Sequence, residues 1–169
     1  MKAKATSLGH PIHPMLIVFP LGLLPVASIF DIVYLYTHNG RWADISFWLI
    51  AAGVIGGLLA AVFGLIDWIG IPSGTRAKSI GLVHGLTNVV LVVLFLVSWV
   101  MRRPDPAAPE LLAIILGFVA VALSFLSGWL GGELVYRMNI AVDEGAHADS
   151  PSSLSGRPAS EKASGPRPV

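Results

Sequence analysis

Histidines and an aspartate inside otherwise apolar stretches are the groups in this chain that can do chemistry: His10, His13, Asp67 and His84, with Asn88 one turn beyond His84. Imidazole and carboxylate together ligate iron, zinc or copper, and imidazoles on facing helices can hold a b-type haem. The chain has no cysteine, which removes disulfides, thiolate nucleophiles, iron–sulfur clusters and thiolate zinc sites. The expected metal ligands are therefore His10, His13, Asp67 and His84. For a single haem, His13 and His84 are the expected ligands, with Arg76 and Lys78 near enough in sequence to pair its propionates. No Gly-rich strand-to-helix loop, nucleophile elbow or paired His-Glu-x-x-His motif occurs, so hydrolytic and nucleotide chemistry find no support and no independent catalytic activity is expected.

Composition dictates the elements that must position these residues. Of the 169 residues, 54% are hydrophobic and 12% charged, and the mean hydropathy is +0.74. An average soluble domain has ~45–50% and ~25%, so a water-soluble globule of this size is excluded. The 11 Lys and Arg nearly balance the 10 Asp and Glu, leaving no broad electropositive face, and nucleic acid is not an expected partner. Four apolar stretches, 15–36, 46–69, 80–101 and 111–136, each exceed the ~20 residues that cross a bilayer as a helix. Unalternating runs of this length exclude a barrel, and the short connections make successive helices antiparallel neighbours. The expected fold is all-α: an integral membrane four-helix antiparallel bundle over residues 1–142, then a disordered cytoplasmic tail over 143–169.

Charge gives the expected orientation. Lys2, Lys4, Arg76, Lys78 and Arg137 flank one side and Arg41, Arg102 and Arg103 the other, so the positive-inside rule places both termini in the cytoplasm. The tryptophans fall into two belts, Trp42, Trp48 and Trp99 outside and Trp68 and Trp129 inside. Lys2 and Lys4 before an apolar run resemble the start of a signal peptide, but the run is too long and lacks a small-residue cleavage site, so it is expected to remain as the first span.

Helical periodicity turns the polar residues inward. In the second span Gly53, Gly57, Ala60 and Gly64 form a stripe of small residues, and Asp67 lies on it within about 80° of arc at 100° per residue. His84, Thr87, Asn88 and Ser98 share one stripe of the third span. His10 and His13 stand at the start of the first. Imidazoles and a carboxylate are thus expected at one depth near the cytoplasmic face. Glu133 lies off the small-residue face of the fourth span and is expected to pair locally with Arg137. Asp31, near the outer end of the first span, is expected to be an interfacial carboxylate or to bond a neighbouring loop. Each hairpin begins with a histidine, His13 or His84, and ends with an acid, Asp67 or Glu133, a hint of duplication about an axis along the membrane normal.

Four runs in order, Gly9-His-Pro-Ile-His-Pro-Met-Leu-Ile-Val-Phe-Pro20, Gly64-Leu-Ile-Asp-Trp68 with Ile71-Pro-Ser-Gly-Thr-Arg-Ala-Lys78, Gly81-Leu-Val-His-Gly-Leu-Thr-Asn88 and Gly128-Trp-Leu-Gly-Gly-Glu-Leu-Val-Tyr-Arg137, resemble the bacterial membrane family filed as domain of unknown function 2231. The resemblance covers residues 9 to about 143 and implies a four-helix membrane domain with no assigned activity. Three functions remain compatible with the sequence. One is a metal or single-haem site for electron transfer, with a membrane redox partner, in the bacterial inner membrane. The others are a scaffold or assembly module, whose polar cluster only locks the helices, and a proton or ion transport unit.

Overall fold

The computed structural model describes residues 1–163. Its order is a short hairpin, β1 (Thr6–Ser7) and β2 (His10–Pro11), then helices α1 (Ile12–Leu16), α2 (Val18–Thr37), α3 (Gly40–Ile69), α4 (Arg76–Arg102) and α5 (Leu111–Gly132). A single π-helical turn, Glu133–Arg137, continues α5. Four spans, Ile12–Thr37, Gly40–Ile69, Arg76–Arg102 and Leu111–Arg137, are long and apolar enough to cross a membrane. The all-α four-helix architecture expected from the sequence is the one observed.

Three helices extend beyond the apolar runs that announce them, because their end turns are helical but polar. Asn39 caps α3, its side chain accepting the Arg41 N–H at 3.1 Å, and Thr75 caps α4 by accepting from Lys78 N at 3.2 Å. The α2–α3 connection is reduced to His38 and Asn39, and His38 takes a left-handed backbone at φ 53° to close it. Between α1 and α2 the break at Ile17 has a chemical cause: Pro20 offers no N–H to the Leu16 carbonyl four residues back.

The chain folds as two hairpins. α2 packs along α3 and α4 along α5, while α3–α4 and α2–α5 contacts close the bundle. Small residues let the first pair approach. A Cβ on Gly53 would stand 2.5 Å from a Leu24 methyl, and one on Gly56 2.7 Å from Phe19 Cβ. The dry middle of the bundle is Leu24, Ala27, Ile50, Val54, Leu91, Phe95 and Ala120. Outward faces carry exposed apolar side chains along every span, as lipid contact requires.

One end of the bundle holds a charge pair that corrects two expectations. Asp31 is not interfacial: it is 1% exposed and accepts two bonds from Arg102, at 2.7 and 2.8 Å. Arg102, counted above as an outer flanking charge, is 0% exposed. Its remaining donors reach Ser98 Oγ at 3.2 Å, Ser46 Oγ at 3.2 Å and the Ala113 carbonyl at 3.5 Å. Ser98 Oγ donates in turn to the Ala113 carbonyl at 2.6 Å. The guanidinium thus binds groups from all four long helices.

At the opposite end the chain start forms a strap. Lys4 N and Ala5 N donate to Asp67 Oδ1 at the end of α3, while beyond α5 the Met1 ammonium donates to the Asn139 carbonyl and the Met1 carbonyl accepts from Ala141 N. The strap therefore runs from one hairpin to the other. From 143 to 163 the chain makes turns and one 3-10 turn, Ser153–Ser155, touching the hairpin where Ser153 Oγ meets His10 Nε2 at 3.3 Å. Residues 164–169, over which the tail was also expected to be disordered, lie outside the described residues.

Removing one member of the buried pair leaves an uncompensated charge, whereas replacing both by apolar residues does not. Arg102→Met is expected to lose about 3–5 kcal/mol of stability and Asp31→Leu/Arg102→Met to recover most of it, as read by unfolding in detergent. Equal losses in the single and double variants would contradict this.

Candidate functional site

Two imidazoles from different hairpins meet at the strapped end. His13, on α1, directs Nδ1 at the Ala60 carbonyl of α3 at 2.8 Å; His84, on α4, directs Nδ1 at the Ser127 carbonyl of α5 at 3.0 Å. A carbonyl only accepts, so in both rings Nδ1 carries a proton, and in the neutral form of either ring Nε2 bears the lone pair. The ring centroids are 6.5 Å apart and the planes stand at 88°.

The helix opposite each ring is shaped to receive it. Ala60 and Ser127 each precede a glycine by four residues, Gly64 and Gly131. A Cβ on Gly64 would lie 2.9 Å from His13 Cε1, and one on Gly131 3.4 Å from His84 Cε1. A side chain added at Gly64 would crowd the His13 ring, whereas a Cβ at Gly131 would only touch the His84 ring at van der Waals distance. The two halves thus repeat one device: a histidine on the first helix of a hairpin, a carbonyl acceptor and a glycine on the second.

Asn88 extends the His84 side of this arrangement. Its Nδ2 donates to Ser127 Oγ at 2.7 Å and to the His84 carbonyl at 2.9 Å, and stands 3.3 Å from His84 Nε2. On the other side, His13 Nε2 meets no hydrogen-bond partner among the described residues.

The other expected ligands go elsewhere. Asp67 points to the strap, accepting from Lys4 N at 2.7 Å and Ala5 N at 3.0 Å, because the strap supplies two backbone donors that need a partner. His10 is on the surface beside Ser153. Arg76 pairs with Glu133 at 2.9 Å, which replaces the local Glu133–Arg137 pair expected from helical spacing. Lys78 Nζ donates to the Trp68 carbonyl at 2.7 Å and lies 3.9 Å from the Trp68 ring centroid, a cation–π contact. Among the described residues no three His, Asp or Glu side chains gather around one point. The expected cluster is thus reduced to His13, His84 and Asn88.

Sequence reading placed Ala60 and Gly131 on small-residue faces without linking either to a histidine, and it missed Ser127. Their signal was a small residue four positions before a glycine in the second helix of each hairpin, which was legible only once the two hairpins were set side by side. It also missed the partnership of Asp31 with Arg102, although both stand near the same end of parallel spans.

Comparison with known proteins gives a family match. No curated protein and no solved structure matches the chain. The profile of the family described as Predicted membrane protein (DUF2231) matches residues 9–144, from the hairpin before His13 to just beyond the π-helical turn. With both histidines, both glycines and the Asp31–Arg102 pair inside that match, the chain belongs to this predicted membrane protein family.

Proposed function

We propose that this membrane domain holds one metal centre, a transition-metal ion or a single b-type haem, between His13 and His84, and that the centre serves electron transfer with a membrane partner. The observation that carries the reading is the paired geometry of the two rings. Metal-bound histidines are oriented by donating the other ring N–H to a carbonyl or carboxylate, and both rings do so here. An imidazole nitrogen bonds a metal at ~2.0–2.1 Å and lies ~1.1 Å from its ring centroid, so two on opposite sides of one ion have centroids roughly 6.3 Å apart. The observed 6.5 Å is close to that span, and it also falls within the ~4.5–7 Å of an ordinary edge-to-face ring pair, so the metal content of the purified protein decides between the two. Two nitrogens leave other coordination positions to a macrocycle, water or substrate, which favours a haem or an open ion site over a closed structural one.

A scaffold is the second reading, and it too has a specific observation behind it. Asp67, Arg76, Lys78 and Asn88 are each engaged in contacts that join separate segments. Transport draws no such support, since the apolar layer of Leu24, Ile50, Leu91 and Phe95 lies between the histidine pair and the Arg102 pair.

The proposed setting is the bacterial inner membrane, with the histidine end and both termini in the cytoplasm. Burial of Arg102 strengthens the charge argument, because only Arg41 and Arg103 then flank the far side against five cations on the near one.

Two measurements test these readings. Protein purified in mild detergent is expected to carry a Soret band or about one equivalent of metal, lost on His13→Ala or His84→Ala and kept on His147→Ala. Absence of both signals in the parent protein removes the metal-centre reading in favour of the scaffold. For orientation, cysteines introduced into this cysteine-free chain at Ser73 and Ala107 are expected to differ in intact cells, Ala107→Cys reacting with a membrane-impermeant maleimide and Ser73→Cys not; the reverse pattern inverts the topology.

A further inference from the structure

We propose that Asp67 and Glu133 are equivalent positioning residues, each clamping the stretch of chain that delivers the histidine of its own hairpin. Asp67 Oδ1 accepts from Lys4 N and Ala5 N, and Ala5 is eight residues before His13. Glu133 Oε2 accepts from Arg76 Nη2 at 2.9 Å, and Arg76 is also eight residues before His84. Each acid sits just past the glycine that faces the histidine: Asp67 three residues after Gly64, Glu133 two after Gly131. One short length of helix therefore carries a carbonyl that orients the ring, a glycine that admits it and an acid that fixes where its chain segment begins.

The two clamps differ in chemistry but not in topology. The first binds backbone donors of the strap, whose Ile12 N in turn bonds the Ala5 carbonyl at 3.0 Å, so the hairpin from Ala5 to Ile12 is closed on itself directly before His13. The second binds a guanidinium on the first turn of α4, two turns before His84. Release of either acid frees the start of its segment while the ring's own carbonyl bond stays intact. The predicted consequence is half-specific: loss of Asp67 loosens His13, and loss of Glu133 loosens His84. A general loosening of the bundle would affect both rings alike.

The purpose of these clamps rests on the two-histidine reading above, but their test does not require any bound metal. Full-length protein in detergent is treated with diethylpyrocarbonate, and carbethoxylation of each histidine is followed by peptide mass spectrometry. Asp67→Ala, which removes two hydrogen bonds, is expected to speed modification of His13 at least fivefold and leave His84 within twofold of the parent, and Glu133→Ala, which removes one, to speed His84 roughly fivefold and leave His13 within twofold. Asp67→Asn and Glu133→Gln, which keep an acceptor oxygen in place, are expected to restore much of the protection. Equal acceleration of both histidines by either variant, or of neither, overturns the proposal. The half-specific pattern in a protein that carries no metal or haem would uphold the clamps and count against the metal centre alone.

Discussion

The bond between Arg102 and Asp31 is the constraint on which the bundle depends. An isolated guanidinium in the hydrocarbon region is costly, and it is tolerated when its five donors are satisfied and its charge is matched. Here every donor has an acceptor, and the acceptors come from α2, α3, α4 and α5. Hydrophobic burial drives membrane helices together only weakly, because lipid is as apolar as leucine. A directional, multi-helix contact of this kind therefore fixes which helices are neighbours and at what height. Gly117 lies beside it: a Cβ there would be 3.9 Å from both Arg102 Nη2 and Asp31 Oδ2, in van der Waals contact with the pair.

With one end fixed in this way, the other is left to hold something less rigid. Between the two lies an apolar layer, and His13 and Asp31 are 18 residues apart, roughly 27 Å along a helix axis. The far end is tied by one buried charge pair. The near end is tied by several weaker contacts: the strap, the Arg76–Glu133 pair and two ring-to-carbonyl bonds. Local opening is drawn from the part of a structure with exposed and separable bonds, and that is the end where the histidines are. A site that must admit a ligand from the aqueous side is served by such a division.

Much of the fold was legible from hydropathy, and the polar pairings were not. Four apolar runs gave four spans because bilayer thickness leaves little freedom. Helix ends at Gly40 and Arg76 were hidden because their first turns are polar and hydropathy does not see capping by Asn39 or Thr75. The inward faces of His13, His84 and Asn88 followed from periodicity. Direction alone did not say what each side chain would meet. Asp67 shares the small-residue stripe of α3, yet it binds the strap, which has no helical period to read. Arg102 stands next to Arg103 in a sequence that resembles an ordinary flanking pair, and only the helix rotation separates the buried one from the exposed one. Glu133 has Arg137 at ideal helical spacing, but the chain opens into a π-helical turn over those residues and Arg76 is closer.

The separation of Asp31 from Arg102 along the chain, 71 residues, has a bearing on biosynthesis. At ~5–20 residues per second the ribosome makes the first span roughly 4–14 s before it supplies the arginine. During that interval the aspartate has no guanidinium to meet, so the first hairpin is complete in the chain while its one buried carboxylate still lacks the partner that makes its burial tolerable.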